Sequence, residues 1–162
     1  MSAPVTLDRP ALEGSVAVRD GRRLSFAEYG APRGRAVVWM HGTPGARRQV
    51  PVKARRLALE QGVRIIGVDR PGIGSSTPHV YRDLLDWTHD LEHLLDALGV
   101  EATHLVGLSG GGPYVLAAGA ALPGRVHGIA VLGGVAPTVG PDAAEGGAIS
   151  LAVRLAPLLA LG

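Results

Sequence analysis

The chain has 162 residues, 46% hydrophobic and 19% charged, with a net charge of +2. That length suits one globular domain able to bury about 70% of its unfolded surface. Cysteine is absent, which excludes disulfides, thiolate metal sites and cysteine nucleophiles. The 24 glycines and 12 prolines punctuate the apolar runs, an arrangement that argues against disorder.

The start, "MSAPVTLDRP", has no apolar core and does not read as a signal peptide. "GSVAVRDGRRLSFAEYG" (14–30) is two alternating runs around Asp20-Gly21, a hairpin signal. "RAVVWMHG" (35–42) is a continuous apolar run, the mark of a strand buried on both faces. A helix is predicted over 47–61, stopped by Gly62. The basic stretch "ARRQVPVKARR" (46–56) lacks aromatic interleaving, so it reads as a solvated helix face, with no nucleic-acid partner. "VRIIGVD" (63–69) is the next buried strand, followed by the loop "RPGIGSSTP".

Apolar residues at 84, 87, 91, 94, 95 and 98 predict a helix over 82–99, ended by Gly99. "THLVGLS" (103–109) reads as a strand and "GPYVLAAGAAL" (112–122) as a helix with Pro113 in its first turn, where proline costs little. "VHGIAVLGG" (126–134) is a sixth strand. The tail "AISLAVRLAPLLAL" (148–161) is apolar, but Arg154 and Pro157 interrupt it and it is too short to span a bilayer. A hairpin followed by alternating strands and helices predicts an α/β fold, a mostly parallel sheet with helices on both faces. We expect a soluble, cytoplasmic protein without membrane contact.

Ligands of such sheets bind beyond the carboxyl ends of the strands. Here those ends read "HGTPG", "DRPGIGSS", "GLSGGG" and "GGVAP". Gly107-Leu108-Ser109-Gly110-Gly111 fits G-x-S-x-G between a predicted strand and a predicted helix. A sharp strand-to-helix turn strains the serine backbone and lifts its hydroxyl above the sheet edge. Side chains at 107 and 111 would collide in that turn, which accounts for both glycines. The helix start behind it aims N–H groups at developing negative charge. In this architecture an oxyanion hole takes one N–H from the residue after the nucleophile and one from the loop after the third strand. Those are Gly110 and, with Gly42 allowing close approach and Pro44 stiffening the loop, Thr43.

Together these residues resemble the α/β-hydrolase fold family, in particular bacterial members with an "HGxPG" loop, a "DxPGxGxS" loop and an "SGGGPY" elbow. The resemblance spans roughly residues 15–137. It implies Ser109 as nucleophile, Thr43 and Gly110 as oxyanion donors, and residues 69–75 as a loop bordering the pocket. It implies a structural His41, a small-molecule substrate with an ester or amide bond, and no cofactor. Haloalkane dehalogenases and epoxide hydrolases of the fold carry aspartate where this chain has Ser109. In the family the acid and then the histidine follow the serine. Here no histidine follows His127, the position after the sixth strand reads Gly133-Gly134, and Asp142 and Glu145 come next. We therefore read 1–137 as a truncated hydrolase core and 138–162 as the incomplete start of a cap. A truncated core would leave the sixth strand an edge open to self-association. The alternative function is a catalytically inactive, hydrolase-like binding module.

Other motifs carry less. "HDLEH" (89–93) matches H-x-x-E-H, but His89 and His93 point ~200° from Leu91, away from the apolar stripe, and no third ligand is available, so no metal is expected. The G-x-G of "GVDRPGIGSST" lacks the third glycine and the helix of a dinucleotide fingerprint. No G-K-[ST] exists for a P-loop.

Overall fold

A computed structural model describes residues 9–138, 140, 141 and 143. Asp20 and Gly21 turn the backbone in the left-handed region, at φ 60° and 70°, which aspartate and glycine adopt more readily than other residues. Their turn joins β1 (Leu12–Ala17) to an antiparallel β2 (Arg23–Gly30). β2 pairs antiparallel at its far edge with β4 (Val63–Val68) and is buried on both faces, Leu24 and Phe26 in one core layer and Ala27 and Tyr29 in the other. β3 (Arg35–Met40), β5 (Thr103–Leu108) and β6 (Val126–Leu132) complete a six-stranded sheet. Its order is β1-β2-β4-β3-β5-β6, parallel from β4 to β6.

The two-residue period of a strand splits the core into two layers. Val38 and Met40 join Ile66, Leu105 and the helices α2 (Trp87–Ala97) and α3 (Gly112–Ala121) on one face. Trp39 joins Ile65, Tyr29 and Ala58 of α1 (Val52–Glu60) on the other. The expected α/β architecture, with its hairpin and its helices on both faces, is the one observed. Among the described residues β6 lies at the edge of the sheet, with Ile129, Val131 and Leu132 partly exposed. Asp142, Glu145 and the apolar stretch 148–161 lie outside the described residues. No helix among the described residues is long and apolar enough to cross a membrane.

Two helices start later than expected. α1 begins at Val52, not 47, because Val50 precedes Pro51 and a residue before proline is pushed out of the helical region. The basic stretch is consequently not one solvated helix face. Arg47 bonds Asp69 through its N–H (2.6 Å) and its Nη1 (2.5 Å), and Arg48 pairs with Glu13. Arg55 lies over the Tyr29 ring, 4.3 Å from its centroid. α2 begins at Trp87, not 82, since the Asp83 carboxylate accepts the Asp86 N–H (2.9 Å) and holds a separate turn. Leu84 and Leu85 stay exposed in that turn, whereas Trp87, Leu91, Leu94 and Leu95 fill the core.

α2 also buries a charge that its apolar stripe conceals. Asp90 is fully buried and accepts Arg22 Nη1 (2.6 Å), Arg22 Nη2 (3.0 Å) and the Tyr81 hydroxyl (2.7 Å). This network ties the hairpin to α2. Removing one partner of a buried pair leaves an uncompensated charge. Asp90→Ala should therefore lower the unfolding free energy by about 3–5 kcal/mol in a denaturant melt. Burial, then the bond to Asp90, pushes the Tyr81 hydroxyl well above its ordinary ionisation range. A phenol that stays protonated when folded but ionises near pH ~10 when unfolded contributes stability below that pH and loses it above. Unfolding curves of Tyr81→Phe should accordingly show a shallower loss of stability above pH ~10 than the unsubstituted chain does.

Candidate active site

Ser109 sits where β5 ends, and it carries a left-handed backbone, φ 47°. A single 3-10 turn, Ser109–Gly111, then runs into α3. The strained serine expected from G-x-S-x-G is present. The flanking glycines are sterically required. A Cβ on Gly107 would lie 2.7 Å from Gly111 O and from Val115 Cγ2. One on Gly111 would lie 2.3 Å from the Met40 carbonyl oxygen.

β3 and β5 are parallel neighbours, so the loop after β3 lies beside this turn. A Cβ on Gly110 would come within 2.5 Å of Thr43 Oγ1. Ser109, Gly110 and Thr43 therefore share one end of the sheet. The steric demand in the "HGTPG" loop falls elsewhere than Gly42, whose Cβ would meet Ser109 Cβ at an ordinary 3.4 Å. Gly45 is the tight position, 2.5 Å from Gln49 Oε1.

His41 is fully buried beneath that loop. Its Nδ1 lies 2.7 Å from the Gly42 carbonyl oxygen, and its Nε2 lies 3.3 Å from the Arg70 N–H. A neutral ring with the proton on Nδ1 satisfies both contacts. Burial, reinforced by the nearby Arg70 charge, pushes the imidazole below its ordinary pKa, against the opposing Gly42 hydrogen bond. His41 is thus a neutral side chain with both nitrogens engaged.

The other described histidines are elsewhere. His104 and His127 pack edge to face, with ring centroids 6.2 Å apart, where β5 and β6 begin. The five residues from His104 to Ser109 span roughly 17 Å of strand. His79 packs against Tyr81. His89 and His93 are exposed on α2, and His89 lies 3.6 Å from Glu92. Among the described residues no group of three ligating side chains could hold a metal ion.

Sequence reading missed two residues of this region. Gln49 accepts the Gly42 N–H through Oε1 (2.7 Å) and donates to the Pro44 carbonyl (3.2 Å). Arg70 reaches from the loop after β4 to Gly42, Thr43 and Gly110. A glutamine within a basic stretch and an arginine after Asp69 have no periodicity to betray them. The Asp69 carboxylate is fully buried and held by Arg47, and a Cβ on Gly74 would lie 2.0 Å from its Oδ2. That contact accounts for a glycine in the "DRPGIGSS" loop.

The close backbone approach at Gly111 has a measurable cost when filled. Gly111→Ala should destabilise the protein by at least about 2 kcal/mol in a thermal or denaturant melt, since backbone rather than a flexible side chain must yield. Gly124→Ala, with open space around the added carbon, should stay within about 0.5 kcal/mol of the unsubstituted protein.

A family model of the alpha/beta hydrolase fold matches residues 35–152. A proline iminopeptidase of Xanthomonas citri is 38% identical over 113 residues, which is 67% of this chain and 35% of the relative. A non-heme chloroperoxidase of Streptomyces lividans is 30% identical over 128 residues, 78% of this chain and 46% of the relative. The crystal structure of an esterase from Rhodococcus sp. ECU1013 superposes with a TM-score of 0.66 at 28% identity, covering 76% of this chain and 46% of that one. The matched region spans between a third and a half of the length of these relatives. With a serine elbow on β5 beside a glycine-rich loop on β3, the chain belongs to the α/β-hydrolase fold family.

Proposed function

We propose that this chain is the nucleophile-bearing part of a serine hydrolase that cleaves an ester or amide bond in a small molecule. One observation carries the reading: Ser109 holds a strained, left-handed backbone at a turn packed directly against the Thr43 loop. Strain of about 1–3 kcal/mol at a serine is tolerated where surrounding structure imposes it, and it exposes the hydroxyl. The Gly42 N–H is spent on Gln49, so in this reading Thr43 and Gly110 supply the N–H groups that hold the oxyanion. Ser109 Oγ attacks the carbonyl carbon, a histidine takes its proton, and the acyl group passes to the serine before water releases it. No step needs a cofactor. Relatives named as iminopeptidase and esterase support this reaction class without fixing a substrate.

In this reading the histidine and its acid come from polypeptide outside these 162 residues. A second reading, a non-catalytic binding module, draws on the same observation about the bases: His41 has both nitrogens engaged, and His104 and His127 lie at the far end of the sheet. Fluorophosphonate labelling separates the two. Loss of the base costs about 10⁶ in kcat in a serine protease, leaving only what the oxyanion hole and binding provide. The 162-residue chain should label slowly. Supplying a carboxyl-terminal hydrolase segment with acid and histidine, on the same or a second chain, should restore rapid labelling and p-nitrophenyl ester turnover. Both should vanish in Ser109→Ala. Restored folding without any Ser109-dependent labelling would favour the binding module.

The β6 edge bears on the state of the isolated chain. Among the described residues nothing pairs with its outer N–H and C=O groups, and these, with its exposed apolar residues, can pair with a second copy. Light scattering at tens of micromolar should show association. A monodisperse monomer that binds no apolar dye would exclude it.

A further inference from the structure

Arg70 occupies the seam between the two loops that form the site. Its Nη2 donates to the Gly42 carbonyl (3.0 Å) and to Thr43 Oγ1 (2.6 Å), and its Nη1 donates to the Gly110 carbonyl (3.3 Å). Its guanidinium carbon stands 5.5 Å from the centroid of the Tyr114 ring on α3, within range of a cation–π contact. Its own N–H donates to His41 Nε2. Among the described residues no carboxylate lies within ion-pair distance of Arg70, and neighbouring Asp69 is committed to Arg47. One rigid fork thus bridges the end of β3, the turn after β5 and the first turns of α3.

Peptide geometry makes the Gly42 contact consequential. The C=O and N–H of a trans peptide lie in one plane and point in opposite directions. Holding the Gly42 oxygen therefore sets the direction of the Thr43 N–H, and the His41 Nδ1 contact to the same oxygen reinforces it. We propose that Arg70 is a positioning residue: it holds the Gly42 carbonyl and Thr43 hydroxyl on one loop and the Gly110 carbonyl on the other, and so aims the Thr43 N–H at the site beside Ser109. This rests on the reading of Thr43 as an oxyanion donor. The obvious rival role is capture of a substrate carboxylate. The donor count opposes it, because both Nη2 hydrogens and one on Nη1 are spent, and the Nε is buried without a partner. A bidentate clamp needs two free parallel donors.

The test compares Arg70→Ala and Arg70→Lys in the polypeptide that also carries the acid and histidine, with two readouts. Hydrogen exchange of peptides covering 41–45 and 109–112 needs no turnover. Both variants should exchange faster there, on the order of tenfold, with added guanidinium slowing Arg70→Ala again. Lysine keeps the charge, but its single ammonium cannot span three acceptors on two loops. Ester turnover is then measured with p-nitrophenyl acetate and the anionic p-nitrophenyl hemisuccinate. Misplacing an oxyanion donor costs about 100-fold in kcat, so Arg70→Ala should lose about that for both esters, with KM nearly unchanged and partial recovery in guanidinium. Unchanged exchange in both loops would overturn the proposal, as would a KM increase confined to the hemisuccinate. Absence of Ser109-dependent turnover in the unsubstituted protein would instead overturn the hydrolase reading, and the exchange measurement would still decide whether Arg70 clamps the loops.

Discussion

Backbone meets backbone where the turn after β5 rests on the end of β3, and the site depends on that contact. The carbonyl oxygens of Met40 and His41 stand 2.3 and 2.9 Å from where a Cβ on Gly111 would be. No side chain fits, so the turn can close only with glycine at 111, while a side chain at Gly107 would instead meet the Gly111 carbonyl and Val115 within the turn and α3. Closure brings Ser109 into its left-handed conformation and seats Gly110 against Thr43. Neighbouring strands in a sheet are spaced about 4.8 Å apart. Two loops leaving adjacent parallel strands are therefore near one another before any side chain acts.

Proximity alone does not orient a loop, and polar side chains take over that task here. Gln49 grips the Gly42 N–H and the Pro44 carbonyl from one side. His41 and Arg70 grip the Gly42 carbonyl from the other. Below them Arg47 clasps Asp69, and Gly74 leaves room for that carboxylate. Buried polar groups are costly unless paired, so each of these contacts restricts the loop to few arrangements. A neutral His41 fits the scheme, since an imidazolium would place a buried cation beside the Arg70 charge.

The elements whose signals are local could be read directly. Glycines at turns, apolar runs in buried strands and the Asp20-Gly21 hairpin are properties of short stretches, and each appeared where the residues pointed. Helix starts were harder, because Pro51 and the Asp83 turn override an apolar period that continues through them. Asp90 sits inside an amphipathic helix, and its partner Arg22 lies 68 residues away. Arg70 and Thr43 are 27 residues apart, and Arg70 and Gly110 are 40. Partners at such separations are brought together by the topology of the sheet, and no pattern within a window of sequence encodes them. The elbow was legible because its constraint is steric and local; the clamp around it was hidden because its constraint is polar and distant.

The placement of the site on β3 and β5 also has an entropic consequence. The hairpin closes a loop of a few residues, whereas Thr103 on β5 bonds the Ala36 carbonyl on β3 across 67 positions. Loop-closure cost grows with the logarithm of length, so joining β3 to β5 costs about 2 kcal/mol more chain entropy than closing the hairpin. β4 enters between β2 and β3 in the sheet, and its pairing shortens the effective distance that β5 must cover. The strand that leads into the Ser109 turn depends in this sense on the strands before it. Destabilising the hairpin or β4 would loosen the Ser109 turn without touching any residue around it.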